Sequence, residues 1–209
     1  MSQLVKMFDL APSPNNIKVR LALGFKKIPY ERIPVDFEDR EPVIRASGQP
    51  LAPALLHGDT VIFESGAILR YLEGNFRDTP RLFSSDREVI HQIEEWENWA
   101  RQAPSQGVGI CFRESFSENP SRETLAKARA LLHTAADRLE ASLADHPFLL
   151  GDTLTAADLF IAPWIHCGLL PPATPESFPP IRFLTENFRL EGHPRTRDWT
   201  KRIMSYDRS

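Results

Sequence analysis

The chain has 209 residues, of which 42% are hydrophobic and 25% are charged, and its formal net charge is −3. This composition is typical of a soluble globular protein with one large or two small domains. It offers neither a basic stripe for nucleic acid nor a polybasic segment for a membrane surface, so we expect no partner of either kind.

The N-terminal residues lead directly into a short strand. Met-Ser-Gln is followed at once by the apolar run Leu4–Leu10, with no charged and apolar leader before it. No later apolar stretch is long enough to span a bilayer. We therefore predict a first strand over 4–10 and a cytoplasmic protein.

A polar turn joins this strand to the first predicted helix. The segment APSPNNIKV places Ser13 between the strand and an apolar pattern that has helical spacing over Ile17–Phe25. The first backbone N–H groups of a helix have no partner inside it and lie at the positive end of its dipole. An anion is stabilised at such a place, so the pattern predicts an anion near Ser13.

The remainder of the first eighty residues predicts a small α/β unit. Further strands are expected at Tyr30–Val35, Ala54–His57 and Thr60–Phe63, followed by a helix from Ser65. A Gly-Asp turn joins the last two strands as a hairpin. The helical pattern ends at a polar, proline-containing segment. This segment predicts a first domain over 1–78 and a linker over 79–85.

Beyond residue 85 every strong pattern is helical. Ser85 and Asp86 predict the N-cap of one long helix, and a second is expected to open at Asn119 and Pro120. We find no internal repeat and no low-complexity tract in the sequence. The second domain, 86–209, is therefore predicted to be all-helical.

A conspicuous acid in this domain has a structural explanation. Thr155 and Asp158 have the spacing of a capping box, in which the carboxylate reaches back to the N-cap amide. The helix that follows is apolar nearly all round and is expected to be buried. We therefore predict that Asp158 starts a helix and takes no part in catalysis.

The sequence carries no metal-ligand motif. Cys111 and Cys167 are the only cysteines, and they lie far apart without a CxxC spacing. The six histidines form neither an HExxH motif nor a cluster with cysteine or carboxylate. We expect two free thiols and no metal site.

The segment QPLAPALLHGDTVIFESGAILRYL holds two further candidates. An X-Pro bond just before a strand is a candidate cis peptide, so Ala52-Pro53 is expected to turn its backbone away from the sheet. Glu64 and Ser65 end the next strand and open a helix, whose first amides can point at a bound carboxylate. The simpler alternative is that this pair is an ordinary helix cap.

Taken together, these stretches resemble the cytosolic glutathione transferases. The resemblance covers essentially the whole chain and rests on SPNNIKVRLAL, APALLHGDTVIFESGAILRYL and TAADLFIAPW. It implies a thioredoxin-like α/β N-terminal domain and an all-α C-terminal domain. Serine followed by Pro-Asn is similar to the serine-type and theta-like members and also to the nu-like bacterial ones, and the sequence does not separate these subgroups.

At the turn, the resemblance implies that the anion is a glutathione thiolate. Ser13 would donate a hydrogen bond to the sulfur, and Asn15 would either assist it or only cap the helix. The thiol pKa of about 8.5 must fall by roughly two units for most of the glutathione to be ionised at neutral pH. This shift requires about 2.7 kcal/mol of preferential stabilisation of the thiolate. A hydrogen bond to a charged group supplies about 1.5–3 kcal/mol and a helix end about 0.3–1 kcal/mol, which is sufficient.

The resemblance assigns the other parts of glutathione to Gln49, Ala52, Pro53, Glu64 and Ser65. The backbone of Ala52 would pair with the cysteinyl part, and Glu64 with Ser65 would hold the γ-glutamyl end. A Pro-Leu pair stands where the family commonly has a lysine or histidine for the glycyl carboxylate. Gln49 or an arginine such as Arg45 is therefore expected to take that carboxylate.

The implied function is the conjugation of glutathione to a small hydrophobic electrophile by a detoxifying homodimer. Two alternatives stay open, a glutathione-dependent disulfide reductase or peroxidase and a non-catalytic binding module. The absence of a cysteine at position 13 disfavours a mixed disulfide on the protein. The departure at residues 50–51 is what favours the non-catalytic module.

Overall fold

The computed structural model describes residues 4–208, which divide into two compact units. The first unit comprises residues 4–83 together with 205–208, and the second comprises Ser84–Met204. Within the described residues, no helix is both long and apolar enough to cross a membrane.

The first unit has the α/β character that the sequence predicts. Its elements are β1 (Val5–Asp9), α1 (Pro14–Phe25), β2 (Tyr30–Pro34), α2 (Glu41–Ser47), β3 (Ala54–His57), β4 (Thr60–Phe63) and α3 (Ser65–Asn75). The strands lie in the order β2-β1-β3-β4, with β1 parallel to β2 and the other neighbours antiparallel. Each predicted strand agrees with the observed one to within a residue at either end, whereas α1 begins three residues before the predicted Ile17.

The register of the strands brings three distant stretches to one end of the sheet. Phe8 pairs with Ala54, and Ala54 pairs in turn with Phe63. The turn after β1, the segment before β3 and the start of α3 after β4 therefore lie beside one another. Helices α1 and α3 also pack against each other, which fixes the two helix starts at this end.

The core beneath this end is apolar. Strands β1 and β3 and helix α3 bury Val5, Met7, Phe8, Ala54, Leu55, Ile68, Leu69 and Leu72. Full burial of a side chain of the larger kinds contributes about 1.5–3 kcal/mol, so these residues stabilise the frame beneath this end of the sheet.

Helix α2 was not predicted from the sequence. It has seven residues, and Val43 is its one buried residue, so it shows no helical periodicity. Its stop signal is present, because Gly48 has a φ of 75° and takes the left-handed C-cap position that favours glycine. A Pro42 in its first turn is the matching start signal.

The C-terminal tail lies on α1 of the first unit. A Cβ on Gly24 would collide with the Tyr206 carbonyl oxygen, so the close approach requires glycine. The ring of Tyr206 packs edge-on against Phe25, with 5.3 Å between the ring centroids. Arg20 Nη2 donates to Asp207 Oδ2 at 2.8 Å. Residues 205–208 thus belong to the first unit, although they follow the last helix in sequence.

The second unit is helical. Its elements are α4 (Arg87–Gln102), α5 (Pro104–Glu114), α6 (Arg122–Ser142), α7 (Ala156–His166), α8 (Pro179–Asn187) and α9 (Pro194–Met204). The named elements of 84–204 are all helices, as expected of the second domain. The predicted domain bounds, 1–78 and 86–209 with a linker over 79–85, remain a prediction.

The two long helices of this unit begin at capping side chains. Asp86 Oδ1 accepts from the Glu88 N–H at 2.8 Å, as the sequence predicts. The opening of α6 was expected at Asn119, but the helix starts after Ser121, whose Oγ accepts from the Thr124 N–H at 3.2 Å. The serine hydroxyl is the better cap here because it reaches an N–H of the first turn.

The capping box of α7 is confirmed. Asp158 is fully buried, and its Oδ2 accepts from the Thr155 N–H at 2.9 Å. Its Oδ1 accepts from the Leu149 N–H at 3.1 Å and from Trp199 Nε1 at 2.9 Å. Burial raises the pKa of this carboxyl above its usual value, although the four hydrogen bonds oppose the rise.

Candidate functional site

The turn between β1 and α1 presents a hydroxyl group. Ser13 is the N-cap residue of α1, and its carbonyl oxygen accepts from the Asn16 and Ile17 N–H groups at 2.9 Å each. Its side chain makes no capping hydrogen bond, and no described residue hydrogen-bonds to its Oγ. A half-buried hydroxyl therefore lies at the positive end of a helix and is available to a ligand.

Two buried side chains hold this turn in place. Asn16 Oδ1 accepts from the Leu10 N–H at 3.0 Å, and Arg20 Nη1 donates to the Ala11 carbonyl oxygen at 3.2 Å. Arg20 is fixed in turn by Asp9 at 2.8 Å. Asn16 Nδ2 is buried without a partner in residues 4–208, which costs about 1–3 kcal/mol. Native proteins hold few such unsatisfied groups, and a nearby functional site is one explanation for them.

A polar triangle links the start of α1 to the start of α3. Lys18 Nζ donates to Asn15 Oδ1 and to Ser65 Oγ, at 3.1 Å in both cases. Ser65 Oγ lies 3.3 Å from Asn15 Oδ1. The structure thus brings together two residues that the sequence singled out and a lysine that it did not.

The start of α3 carries a strained backbone. Glu64 has a φ of 69° and a ψ of 114°, and its carbonyl oxygen accepts from the Ile68 N–H at 2.9 Å. A positive φ at a residue with a Cβ costs about 1–3 kcal/mol. The Glu64 side chain is exposed and makes no capping hydrogen bond. The ordinary helix cap, which was the simpler alternative, is therefore absent.

The third stretch at this sheet end is the segment before β3. The Ala52-Pro53 peptide bond is cis, as predicted. Pro53 is buried and Ala52 is half-buried. Because the β1-β3-β4 ladder begins at Ala54, the backbone groups of Ala52 lie beyond the paired residues of the sheet.

Gln49, the candidate residue for binding the glycyl carboxylate, makes hydrogen bonds within its own loop. Gln49 Nε2 donates to Ser47 Oγ at 3.0 Å and to the Leu51 carbonyl oxygen at 2.7 Å. Gln49 Oε1 accepts from the Leu51 N–H at 2.6 Å. Arg45 lies on α2 and pairs with Glu41 at 2.9 Å. The role of Gln49 stays a prediction, and it requires these local bonds to open.

The cysteines do not supply a nucleophile. Burial raises the pKa of the Cys111 thiol to about 12 and that of the Cys167 thiol to about 12. Neither thiol ionises at neutral pH, so neither is reactive. Over 4–208, no group of three or more histidine, cysteine or carboxylate side chains is placed to hold a metal ion.

Comparison with known proteins gives matches along the chain. Family models for the glutathione S-transferase N-terminal and C-terminal domains match residues 7–80 and 122–202. Glutathione S-transferase Z2 of Arabidopsis thaliana is 31% identical over 172 residues, covering 78% of this chain and 76% of that protein. The two model matches fall on the α/β unit and on the helical unit, respectively.

Solved structures of this kind share the fold. A glutathione S-transferase from Rhodospirillum rubrum matches with a TM-score of 0.80 at 21% identity, covering 98% of this chain and 90% of that one. Ure2p in complex with glutathione matches with a TM-score of 0.75 at 23% identity, again covering 98% and 90%. The predicted fold class, a thioredoxin-like α/β domain followed by an all-helical one, is confirmed.

Proposed function

Because the chain belongs to the glutathione S-transferase family, we propose that it conjugates the thiolate of glutathione to a small hydrophobic electrophile. The observation that carries this proposal is the convergence at one sheet end of the unbonded Ser13 hydroxyl, the Ala52 backbone and the start of α3. These three features correspond to the sulfur, the cysteinyl backbone and the γ-glutamyl end of one tripeptide.

The proposed chemistry begins with ionisation of the thiol. Glutathione loses its thiol proton to solvent, and the Ser13 hydroxyl donates a hydrogen bond to the sulfur anion at the N-terminus of α1. The hydrogen bond and the helix end together supply about 2–4 kcal/mol, which covers the roughly two pKa units that are needed. The sulfur lone pair then forms a bond to an electrophilic carbon of the second substrate. The electron pair displaced from that carbon departs with a leaving group such as halide, or moves from a double bond onto the neighbouring atom, which takes a proton from solvent.

The γ-glutamyl end of glutathione carries an ammonium and a carboxylate. The first amides of α3, with the Ser65 hydroxyl, suit the carboxylate. The exposed Glu64 carboxylate, which has no ion pair within 4–208, suits the ammonium. The Glu64 backbone strain is then explained, because it places an acid at the positive end of a helix without closing that end.

We also propose a homodimer in a reducing, cytoplasmic compartment. Cys111 and Cys167 are both free, as expected where thiols are kept reduced. Strand β4 is an edge of the sheet and exposes Val61 and Phe63, and exposed apolar side chains on an edge strand favour association. Light scattering at micromolar concentration is expected to give about twice the chain mass of 23.8 kDa. A monomer at that concentration contradicts the dimer.

A second candidate function is glutathione-dependent disulfide reduction. It is favoured by the triangle around Asn15, which gives this side chain the fixed partners that Ser13 lacks. If Asn15 rather than Ser13 stabilises the thiolate, the resemblance to the nu-like members favours disulfide reduction over conjugation. The two candidates share the glutathione site and differ in whether the thiolate attacks carbon or sulfur.

The test separates binding from catalysis. Thermal unfolding with and without millimolar glutathione is expected to show stabilisation, since a ligand at about 100 times its dissociation constant contributes about 2.7 kcal/mol. Turnover is then compared between an activated aryl halide and a small disulfide, which distinguishes transfer from reduction. Stabilisation without either turnover identifies a non-catalytic binding module. The absence of stabilisation overturns the glutathione site altogether.

A further inference from the structure

Lys18 is a buried cation in an unfavourable place. It is 6% exposed and lies one turn into α1, beside the start of α3. Helix N-termini carry partial positive charge and favour acidic side chains. Neither α1 nor α3, both of which lie wholly within the described residues, has an acidic residue in its first turn. The Lys18 ammonium therefore adds its charge to the positive ends of both helices.

The Lys18 ammonium determines how the Asn15 amide must be turned. An ammonium only donates hydrogen bonds, so the Asn15 atom 3.1 Å from Nζ has to be the carbonyl oxygen. The Ser65 hydroxyl, 3.3 Å from the same oxygen, is positioned to donate to it as well. The opposite orientation would set two amide N–H groups against the ammonium. The Asn15 Nδ2 group consequently lies on the side of the amide away from the triangle.

The Asn15 Nδ2 donor is unused by the described residues. Asn15 is half-buried and accepts two hydrogen bonds, while no residue in 4–208 accepts one from Nδ2. This donor lies in the first turn of α1, two residues after Ser13. It is a second neutral donor at the place where an anion is best stabilised.

We propose that Lys18 is a positioning residue that locks the Asn15 amide with its Nδ2 donor turned toward the bound thiolate. This inference rests on the proposed glutathione site. Without the ammonium the amide can rotate and present its carbonyl oxygen, which repels a thiolate. Lys18 therefore acts on the sulfur through Asn15 and need not touch glutathione itself.

The first experiment measures the thiol pKa of bound glutathione by ultraviolet titration in Lys18→Met and wild-type protein. Lys18→Met is expected to raise that pKa by about one unit. At a pH well below the pKa, this rise makes the thiolate fraction about tenfold smaller. Lys18→Arg keeps the charge and the donors and is expected to restore the wild-type value. An unchanged thiol pKa in Lys18→Met overturns the inference.

Lys26→Met is the matched control. Lys26 lies at the other end of α1, is 1% exposed, and donates to Glu73 and to the Pro80 carbonyl oxygen at 2.9 Å each. Its loss removes a buried ammonium from the same helix, so stability falls while the thiol pKa is expected to stay unchanged. An equal pKa shift in both variants would mean that Lys18 has only a structural role, and would overturn the inference.

A double-mutant cycle tests whether Lys18 acts through Asn15. In an Asn15→Ala background, Lys18→Met is expected to add no further shift of the thiol pKa. Additive shifts would overturn the positioning role, because they mean that the cation acts on the thiolate directly. If Lys18→Met does not fold, Lys18→Gln replaces it in both experiments, since a glutamine no longer forces the amide orientation. A wild-type protein that binds no thiolate contradicts the proposed function instead and is recognised before any variant is compared.

Discussion

Four helix starts, two in each unit, differ in whether a side chain caps the first turn. In the second unit, α4 and α6 start at Asp86 and Ser121, whose side chains accept from backbone N–H groups of the first turn. In the first unit, α1 and α3 start at Ser13 and Glu64, and neither side chain makes a capping hydrogen bond. The same residue type, serine, thus caps its helix in one unit and leaves it open in the other.

This contrast separates helix starts that an internal side chain satisfies from helix starts that stay open to a ligand. A capping side chain stabilises a protein by about 0.5–2 kcal/mol, so an open start gives up that stability. In return, its amides and its unbonded side chain remain available to an anion. The second unit shows the outcome of filling such a start, because the Glu140 carboxylate accepts from the Arg195 and Thr196 N–H groups of α9 at 3.1 and 2.9 Å.

The largest loss of stability is expected at the start of α7, where the Asp158 carboxylate accepts four hydrogen bonds. Asp158→Ala leaves four hydrogen-bond donors without their acceptor, three of them at 3.1 Å or less. The free energy of unfolding is expected to fall by about 3 kcal/mol or more, as urea denaturation would measure. Asp152→Ala, at a side chain that is 85% exposed, is the control and should change little.

The glutathione affinity of native Asp158→Ala protein decides between the two roles of this acid. The affinity is expected to stay unchanged, because the Asp158 carboxylate is buried and bonded to donors of the second unit, whereas the proposed glutathione site is built from residues of the first. A loss of affinity at normal stability would place Asp158 in the site and contradict its structural role.

The next effect compares the two serines. Ser121→Ala is expected to lower the free energy of unfolding by about 1 kcal/mol and to leave the bound thiol unaffected. Ser13→Ala is expected to cost less stability, because its hydroxyl bonds to no described residue, and to raise the thiol pKa by about one unit, or 1.36 kcal/mol. Ultraviolet titration and urea denaturation of both variants give the four values. If Ser13→Ala leaves the pKa unchanged while Asn15→Ala raises it, the catalytic role passes to Asn15.

A smaller effect of opposite sign is expected at the strained start of α3. Glu64→Gly relieves the positive φ, so the free energy of unfolding should rise by up to about 1 kcal/mol. The same change removes the carboxylate, and glutathione affinity is expected to fall about tenfold. Calorimetric titration measures the affinity. Glu64→Gln separates the two effects, since it keeps the strain and loses only the charge.

The local parts of this arrangement could be predicted from the sequence. Strands β3 and β4 were predicted with their observed bounds because a Gly-Asp turn fixes the hairpin between them. The capping box of α7 was predicted because its two partners are three residues apart. In both cases the determining contacts lie within a few residues of chain, where turn chemistry and side-chain spacing are sufficient.

The role of Lys18 could not be predicted in the same way. In the sequence it occupies one polar position of a helical pattern, which is typical of a solvated lysine. In the structure it is buried and donates to Ser65, which is 47 residues away. The contact of Arg20 with Asp207, which joins residues 205–208 to α1, spans 187 residues. Only the fold brings these partners together, so no local pattern signals them.

The smallest effect is expected at α9, the start already filled by an internal carboxylate. Burial tends to raise the pKa of Glu140, but the backbone N–H groups of Thr196 and Arg195 outweigh it and lower the pKa below its ordinary value of 4.5. A carboxyl group with a lowered folded-state pKa stabilises the protein above its unfolded-state pKa and loses this contribution as pH falls through the folded-state value. Glu140→Gln is therefore expected to lower the free energy of unfolding by about 0.3–1 kcal/mol at neutral pH and by progressively less below pH 4.5. Urea denaturation from neutral pH downward measures the difference, with Glu95→Gln, at a side chain that is 62% exposed, as the control. If the stability difference between wild type and Glu140→Gln stays constant with pH, the Glu140 charge does not stabilise the start of α9. In that case α9 no longer supports the proposal that a carboxylate binds at the start of α3.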